Sequence, residues 1–229
     1  MTALVGVSVG AIALTGCASR GYVKADAAAD SLRVAAEKIH AENQTLKLAV
    51  GHLDDMVNRP SSDLRQQFHY YDQAVDQLYD SVEQAEKAVR HSEAKSGQYF
   101  AAWDKQLAAM NYEAVQTRGQ TRRIAVSNQL ENLSHQYRET REAVLPLLAY
   151  LEDIRKSLAS DLTPGGLESL KEVTANARAG SEKVQVALEN LVTGFTSSGS
   201  ALSSVMTQNT EAIPATGRTE ASVNDTNPH

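Results

Sequence analysis

Hydrophobic residues recur along most of this chain at alternating steps of three and four, the spacing that lines one face of an α-helix. The first run is Ala29, Leu32, Ala36, Ile39, Asn43, Leu46, Val50, Leu53 and Val57, apolar at eight of nine positions. The second, Leu64, Phe68, Tyr71, Val75, Leu78, Val82, Ala85, Val89, Ser92, Ser96, Tyr99 and Trp103, is apolar at ten of twelve. A third, Val126, Leu130, Leu133, Tyr137, Thr140, Val144, Leu147, Leu151, Ile154 and Leu158, is apolar at nine of ten. The fourth, Leu167, Leu170, Thr174, Ala177, Ser181, Val184, Leu188, Leu191 and Phe195, is apolar at seven of nine. Together 34 of 40 positions are apolar, against 42% of the whole chain, and four long amphipathic helices follow. A seam repeating every ~3.5 residues stays on its partner only if the helices supercoil left-handedly. The expected fold is all-α: an elongated antiparallel up-down bundle of about four coiled-coil-like helices over residues 22–206.

The breaks fall where an up-down topology needs turns. Asn58-Arg59-Pro60-Ser61 ends the first stripe, with Ser62 as the expected N-cap of the second helix. A second turn is expected near Asn111, and a third at Pro164-Gly165-Gly166, where Thr163 would cap the last helix with Pro164 at its first position. Gly97 and Gly119 are weaker break points. The third helix has the widest stripe, because Leu145 and Leu148 adjoin Val144, Leu147 and Leu151, so it is expected at the centre of the bundle. Pro146 should kink it by removing one backbone hydrogen bond.

Ahead of the stripes the pattern changes to a continuous apolar run, Ala3 to Gly16. It is too short to span a bilayer, which takes about 20 residues, and reads as the apolar region of an export signal. No Lys or Arg precedes it, so the natural start is expected upstream of Met1. The run ends in Leu14-Thr15-Gly16-Cys17, which resembles the lipobox of bacterial lipoproteins. That resemblance implies a diacylglycerol on the Cys17 thiol and cleavage just before it, giving a signal peptide over 1–16 and a lipidated N-terminus with a short linker over 17–21. Cys17 is the only cysteine in the chain, and lipidation accounts for an unpaired thiol in an exported protein. Ala18 stands where Asp would signal retention at the inner membrane. In a Gram-negative cell the implied location is the periplasmic leaflet of the outer membrane. Residues 207–229 are polar and aperiodic, the composition of a disordered tail.

The net charge of −6 gives no general reason to expect a nucleic-acid partner, which needs a surplus of Lys and Arg on one face. The one local exception is Arg118, Arg122 and Arg123 in "TRGQTRR", with no acidic residue between Glu113 and Glu131. These three are candidates for contact with anionic lipid headgroups or an acidic envelope protein; the alternative is an ordinary solvated face. A di-iron reading would need two Glu-x-x-His spacings. Glu37 and His40 supply one and no second exists, so neither a metal nor any other cofactor is expected. No Gly-x-Ser-x-Gly, Walker or His-Glu-x-x-His motif occurs, and an enzyme is not expected. Asn43, polar in a seam, is expected to fix helix register. Tyr99, Phe100 and Trp103 read as a packing plug at one end of the second helix.

The lipobox, the patch "YFAAWDKQL", the basic start of the third helix and the run "AVLPLLAYLEDIRKSLASDLTPGGLESL" resemble a family of helical Gram-negative lipoproteins known only as a domain of unknown function. The resemblance covers roughly residues 62–205 and is most specific from Leu145-Pro146 through Leu170. It implies an envelope lipoprotein and assigns no activity. The expected role is that of a non-enzymatic spacer or docking module held to the membrane at Cys17; the alternative is a helical-hairpin subunit of a membrane-active or export assembly. Helix lengths add a geometric expectation. At 1.5 Å per residue a first helix over 22–58 rises roughly 55 Å and a second over 62–110 returns roughly 70 Å. The turn near Asn111 should therefore approach the leaflet, through a tilted or flat bundle or a break near Gly97.

Overall fold

Each helix starts and stops where local chemistry allows. In the computed structural model, which describes residues 21–205, α1 spans Gly21–Asn58, α2 Leu64–Ala108, α3 Glu113–Ser160, α4 Pro164–Ser169 and α5 Lys171–Leu202. Cys17 with its lipobox and the segment 207–229 lie outside the described residues. The N-cap of α2 is Asp63 rather than Ser62: its carboxylate accepts from the Arg65 backbone N–H, while Ser61 Oγ donates to the Asp63 carbonyl. A carboxylate also complements the positive end of the helix dipole, which a hydroxyl does less well. At α4, Thr163 Oγ1 accepts from the Gly166 N–H at 3.1 Å with Pro164 in the first turn. The last stripe is interrupted for one residue, Leu170, so a six-residue α4 precedes α5.

The heptad stripes are the core. Of the 40 stripe positions 35 are buried, and the other five, Leu64, Phe68, Tyr99, Trp103 and Leu170, are half-buried. Four long helices are arranged so that α1 and α3 each touch both α2 and α5 and face each other across the diagonal. The most closely packed helix is α1 rather than the expected α3. It buries sixteen of its 38 residues, whereas α3 buries twelve of 48. The cause is a second row on α1, Ala28, Ala35, Glu42, Ala49 and Met56, spaced by seven and wholly buried. Small side chains let neighbouring backbones approach. Opposite Ala29, a Cβ on Gly199 of α5 would stand 3.0 Å from the Ala29 carbonyl oxygen. Leucine-rich α3 is held further off. Leu145 does not widen its stripe, since it is exposed while Leu148 is buried.

Helices α2 and α3 run unbroken through Gly97, Gly119 and Pro146. Gly97 is solvent-facing, where a glycine costs only about 1 kcal/mol. Pro146 and Glu142, whose carbonyl loses its partner to the ring, are both exposed. Water can satisfy that carbonyl, so the helix has no need to end there.

Candidate functional site

Because α3 stands off from α2, long side chains bridge the two. Arg155 meets Asp72 at 3.4 Å, Asp76 at 2.6 Å and its own-helix Glu152 at 2.7 Å. Arg141 meets Glu86 at 2.6 Å, Arg138 meets Glu93 at 3.8 Å, and Arg123 meets Asp104 at 3.0 Å. The pairs climb α3 as they descend α2, so together they state the antiparallel register. Exposed ion pairs contribute about 0–1 kcal/mol each. Arg155, Arg141 and Arg123 retain less than a third of their side-chain exposure, which makes these rungs more specific than ordinary surface pairs. Near the Arg155 rung, the buried Tyr71 hydroxyl donates to the Leu151 carbonyl at 2.7 Å.

Glu42 of α1 reaches into this interface. It is 3% exposed, and its Oε2 has no hydrogen-bond partner. Burial pushes its carboxyl up to about 7, against the opposing pull of the Arg141 guanidinium. Arg141 Nη2 is committed to Glu86, while Nη1 is buried and unpartnered. The Tyr137 phenol, held beside this group, is raised by burial and by the Glu42 charge. The arrangement is a buried carboxyl raised toward neutrality beside the Arg141 guanidinium and the Tyr137 phenol. On the other flank of α1, Asn43 Nδ2 donates to Glu189 Oε1 of α5 at 3.3 Å, and Lys47 meets the same oxygen at 2.8 Å. Asn43 thus ties α1 to α5 through Nδ2, while its Oδ1 is buried without a partner.

Below the Glu42 level the α2–α3 gap opens into a cavity of about 540 Å³, lined by Ser92, Ser96, Phe100, Ser127, Leu130 and Leu133 with Phe195 at its floor. Its origin is legible in the second stripe, where two successive seam positions, Ser92 and Ser96, carry small side chains. Ser92 Oγ donates to its own-helix Val89 carbonyl at 2.8 Å, leaving the wall largely apolar. The aromatic plug closes the next level: Tyr99 stacks 5.5 Å from Phe100 and 5.2 Å from Trp103. Arg123 lies 5.0 Å over the Phe100 ring.

Of the three candidate arginines, Arg123 is therefore engaged inside the fold, by Asp104 and Phe100, whereas Arg118 and Arg122 are exposed. No salt bridge among the described residues takes either. They sit where α3 leaves the four-helix section, beside the turn 109–112. Gly21, the first residue of α1, lies against the Gln106 side chain, so the last residues of α2 and the turn stand beyond it. Helix α2 runs only two residues past Gln106, to Ala108, ~3 Å at 1.5 Å per residue, less than the ~15 Å expected from the difference in helix lengths. Ser204, just past α5, bonds Asp26 through its N–H at 2.7 Å and its hydroxyl at 2.8 Å. Both ends of the described chain are thereby fixed at this same end of the bundle.

Residues 15–204 match a family described as protein of unknown function, DUF2959. The chain belongs to this family. No curated protein and no solved structure matches it.

Sequence reasoning singled out Cys17 and the arginines as candidates but passed over Glu42. The available signal was the seven-residue row Ala28, Ala35, Ala49 and Met56, in which a carboxylate is the one charged member. His40, by contrast, is exposed and shares a 2.7 Å hydrogen bond with Gln44. Among the described residues no three His, Cys, Asp or Glu side chains gather as a metal site would require.

Proposed function

We propose that this chain is a lipid-anchored periplasmic protein of the cell envelope, attached through Cys17, whose helical bundle acts as a non-enzymatic spacer or docking module. The observation that carries the reading is the start of α1 at Gly21, with only residues 18–20 between it and Cys17. A four-step tether reaches at most ~14 Å, so an acylated Cys17 would hold this end of the bundle at the membrane. The opposite end would then stand ~60 Å away, the length of α1 at 1.5 Å per residue. The family match takes in Cys17, and no described helix is long and apolar enough to cross a membrane. Those two facts favour a bundle standing on a leaflet over the membrane-inserting hairpin.

The test is metabolic labelling with an alkyne-bearing palmitate. Parent protein should take up the label and partition with membranes; Cys17→Ser should take up no label and hold to membranes more weakly. A parent that takes up no label, or a Cys17→Ser product that stays with membranes as firmly as the parent, ends the anchor reading.

A further inference from the structure

The turn joining α2 to α3 differs in chemistry from the connections at the opposite end of the bundle. Met110, Tyr112 and Val115 stand 38%, 79% and 56% exposed on or beside it. The opposite connections, 59–63 and 161–163, carry no exposed large hydrophobic residue. Val23 and Val205 are exposed at the α2–α3 end as well. Scattered apolar surface residues are ordinary, but a group gathered at one end marks a contact.

Tyr112 makes the point most directly. It occupies the N-cap of α3 in extended backbone and makes no side-chain cap. Ser, Asp or Asn at that position would satisfy an orphan N–H and stabilise the helix. A tyrosine there gives up that gain and projects an amphipathic ring beyond the bundle. Within three turns of it stand the exposed, unbridged Arg118 and Arg122. Residues 1–20 precede Gly21, which lies at this same end. Apolar side chains at a tip with arginines just behind them match the headgroup–acyl boundary of a bilayer, apolar groups inward and cations at the phosphates. An acidic protein would also pair the arginines, but it would not account for the group lying at the level where the chain enters.

We propose that the α2–α3 tip is a second membrane contact, in which Met110, Tyr112 and Val115 enter the interface of an anionic phospholipid leaflet and Arg118 and Arg122 pair with its phosphates. The orientation rests on the anchored reading; the contact itself needs no acyl group on Cys17.

That independence sets the experiment. Cys17 is the only cysteine, so full-length Cys17→Ser accepts a single reporter thiol, Asn111→Cys at the tip or Ser62→Cys at the far end, for a fluorophore. Each labelled chain is mixed with vesicles of phosphatidylglycerol and phosphatidylethanolamine or of phosphatidylcholine alone. Lipid-borne quenchers should reach the tip label and not the far label. Arg118→Gln with Arg122→Gln should weaken tip quenching on the anionic vesicles by about fivefold per arginine and leave the neutral ones unchanged. Met110→Ser with Tyr112→Ser and Val115→Ser should abolish it on both. Because Tyr112→Ser supplies a cap, the single variant should melt no lower than the parent, which separates lost contact from lost folding. A tip label that stays open to aqueous quencher on vesicle-bound chain overturns the proposal. The acylation of Cys17 would be untouched by that result, since it is read in cells by palmitate uptake.

Discussion

Glu42→Gln isolates the energetic consequence of one carboxyl in the core. The folded protein holds Glu42 up at about 7, chiefly through burial, from an ordinary value of 4.5. Above the unfolded value the unfolded chain releases this proton while the folded one keeps it, so the folded state binds more protons. Stability must then fall as pH rises through the window from 4.5 to about 7 and level off above it. A displacement of ~2.5 units at 1.36 kcal/mol each gives a penalty of ~3 kcal/mol, complete by pH 8 and nearly absent at pH 4. Glutamine keeps the shape and cannot ionise, so Glu42→Gln should match the parent at pH 4 and exceed it by ~3 kcal/mol at pH 8. In a domain of this size that is ~6–12 °C in Tm. Arg141 remains paired with Glu86 in the variant, so no new unpaired cation is created. Paired thermal melts at half-unit intervals from pH 4 to 8 measure the difference and cancel the other carboxylates, which titrate alike in both proteins. A gap that stays constant across that range would refute the reasoning, because it would mean that Glu42 titrates alike in the folded and unfolded chains.

Leu151 is fully buried beside the Tyr71 hydrogen bond, so Leu151→Asp should cost several kcal/mol and broaden or abolish the cooperative melt. At Gly166 an added Cβ would fall on the Asp161 carbonyl; Gly166→Ala should destabilise by roughly 1–3 kcal/mol, whereas Gly97→Ala, with open space around it, should stabilise slightly, and denaturant titration of the pair separates the two. None of residues 113–125 is buried, while Val126 and Ser127 open the buried part of α3. Amide exchange should accordingly be much faster before Val126 than after Leu130, and uniform protection along α3 would count against a loosely held tip.

The fold was legible because its determinant is a one-dimensional repeat. All 40 seam positions end up buried or half-buried, since a heptad stripe has no other way to leave water in a chain of this composition. The helix ends were legible only where the capping chemistry was unambiguous: Thr163-Pro164 read correctly, whereas Ser62 and Asp63 are both good caps, and the choice fell to the stronger partner of the helix dipole. The rank of the helices did not show in the sequence. Counting large apolar residues favoured α3, but closeness of packing follows small ones, and Ala28, Ala35 and Ala49 let α1 approach its neighbours where leucines hold them off. The same arithmetic hid Glu42, which counts as polar in any hydrophobic tally although its row is wholly buried.

The two kinds of interface divide the molecule mechanically. Between α1 and its neighbours α2 and α5, small residues bring backbones close, and such contacts have few alternative arrangements. Between α2 and α3 the spacing is wider, the cavity lies in the gap, and the arginine pairs span it. Long side chains rotate at little cost, and ion pairs that are partly exposed weaken with salt. The firm part of the bundle is therefore α1, α2 and α5, and α3 is the helix that yields. Its N-terminal segment forms one side of the tip, so a force on Tyr112 or Val115 acts first on α3, and through α3 on the walls of the cavity and on Arg141 beside Glu42. The tip thus joins a firmly packed helix, α2, to the more loosely packed α3.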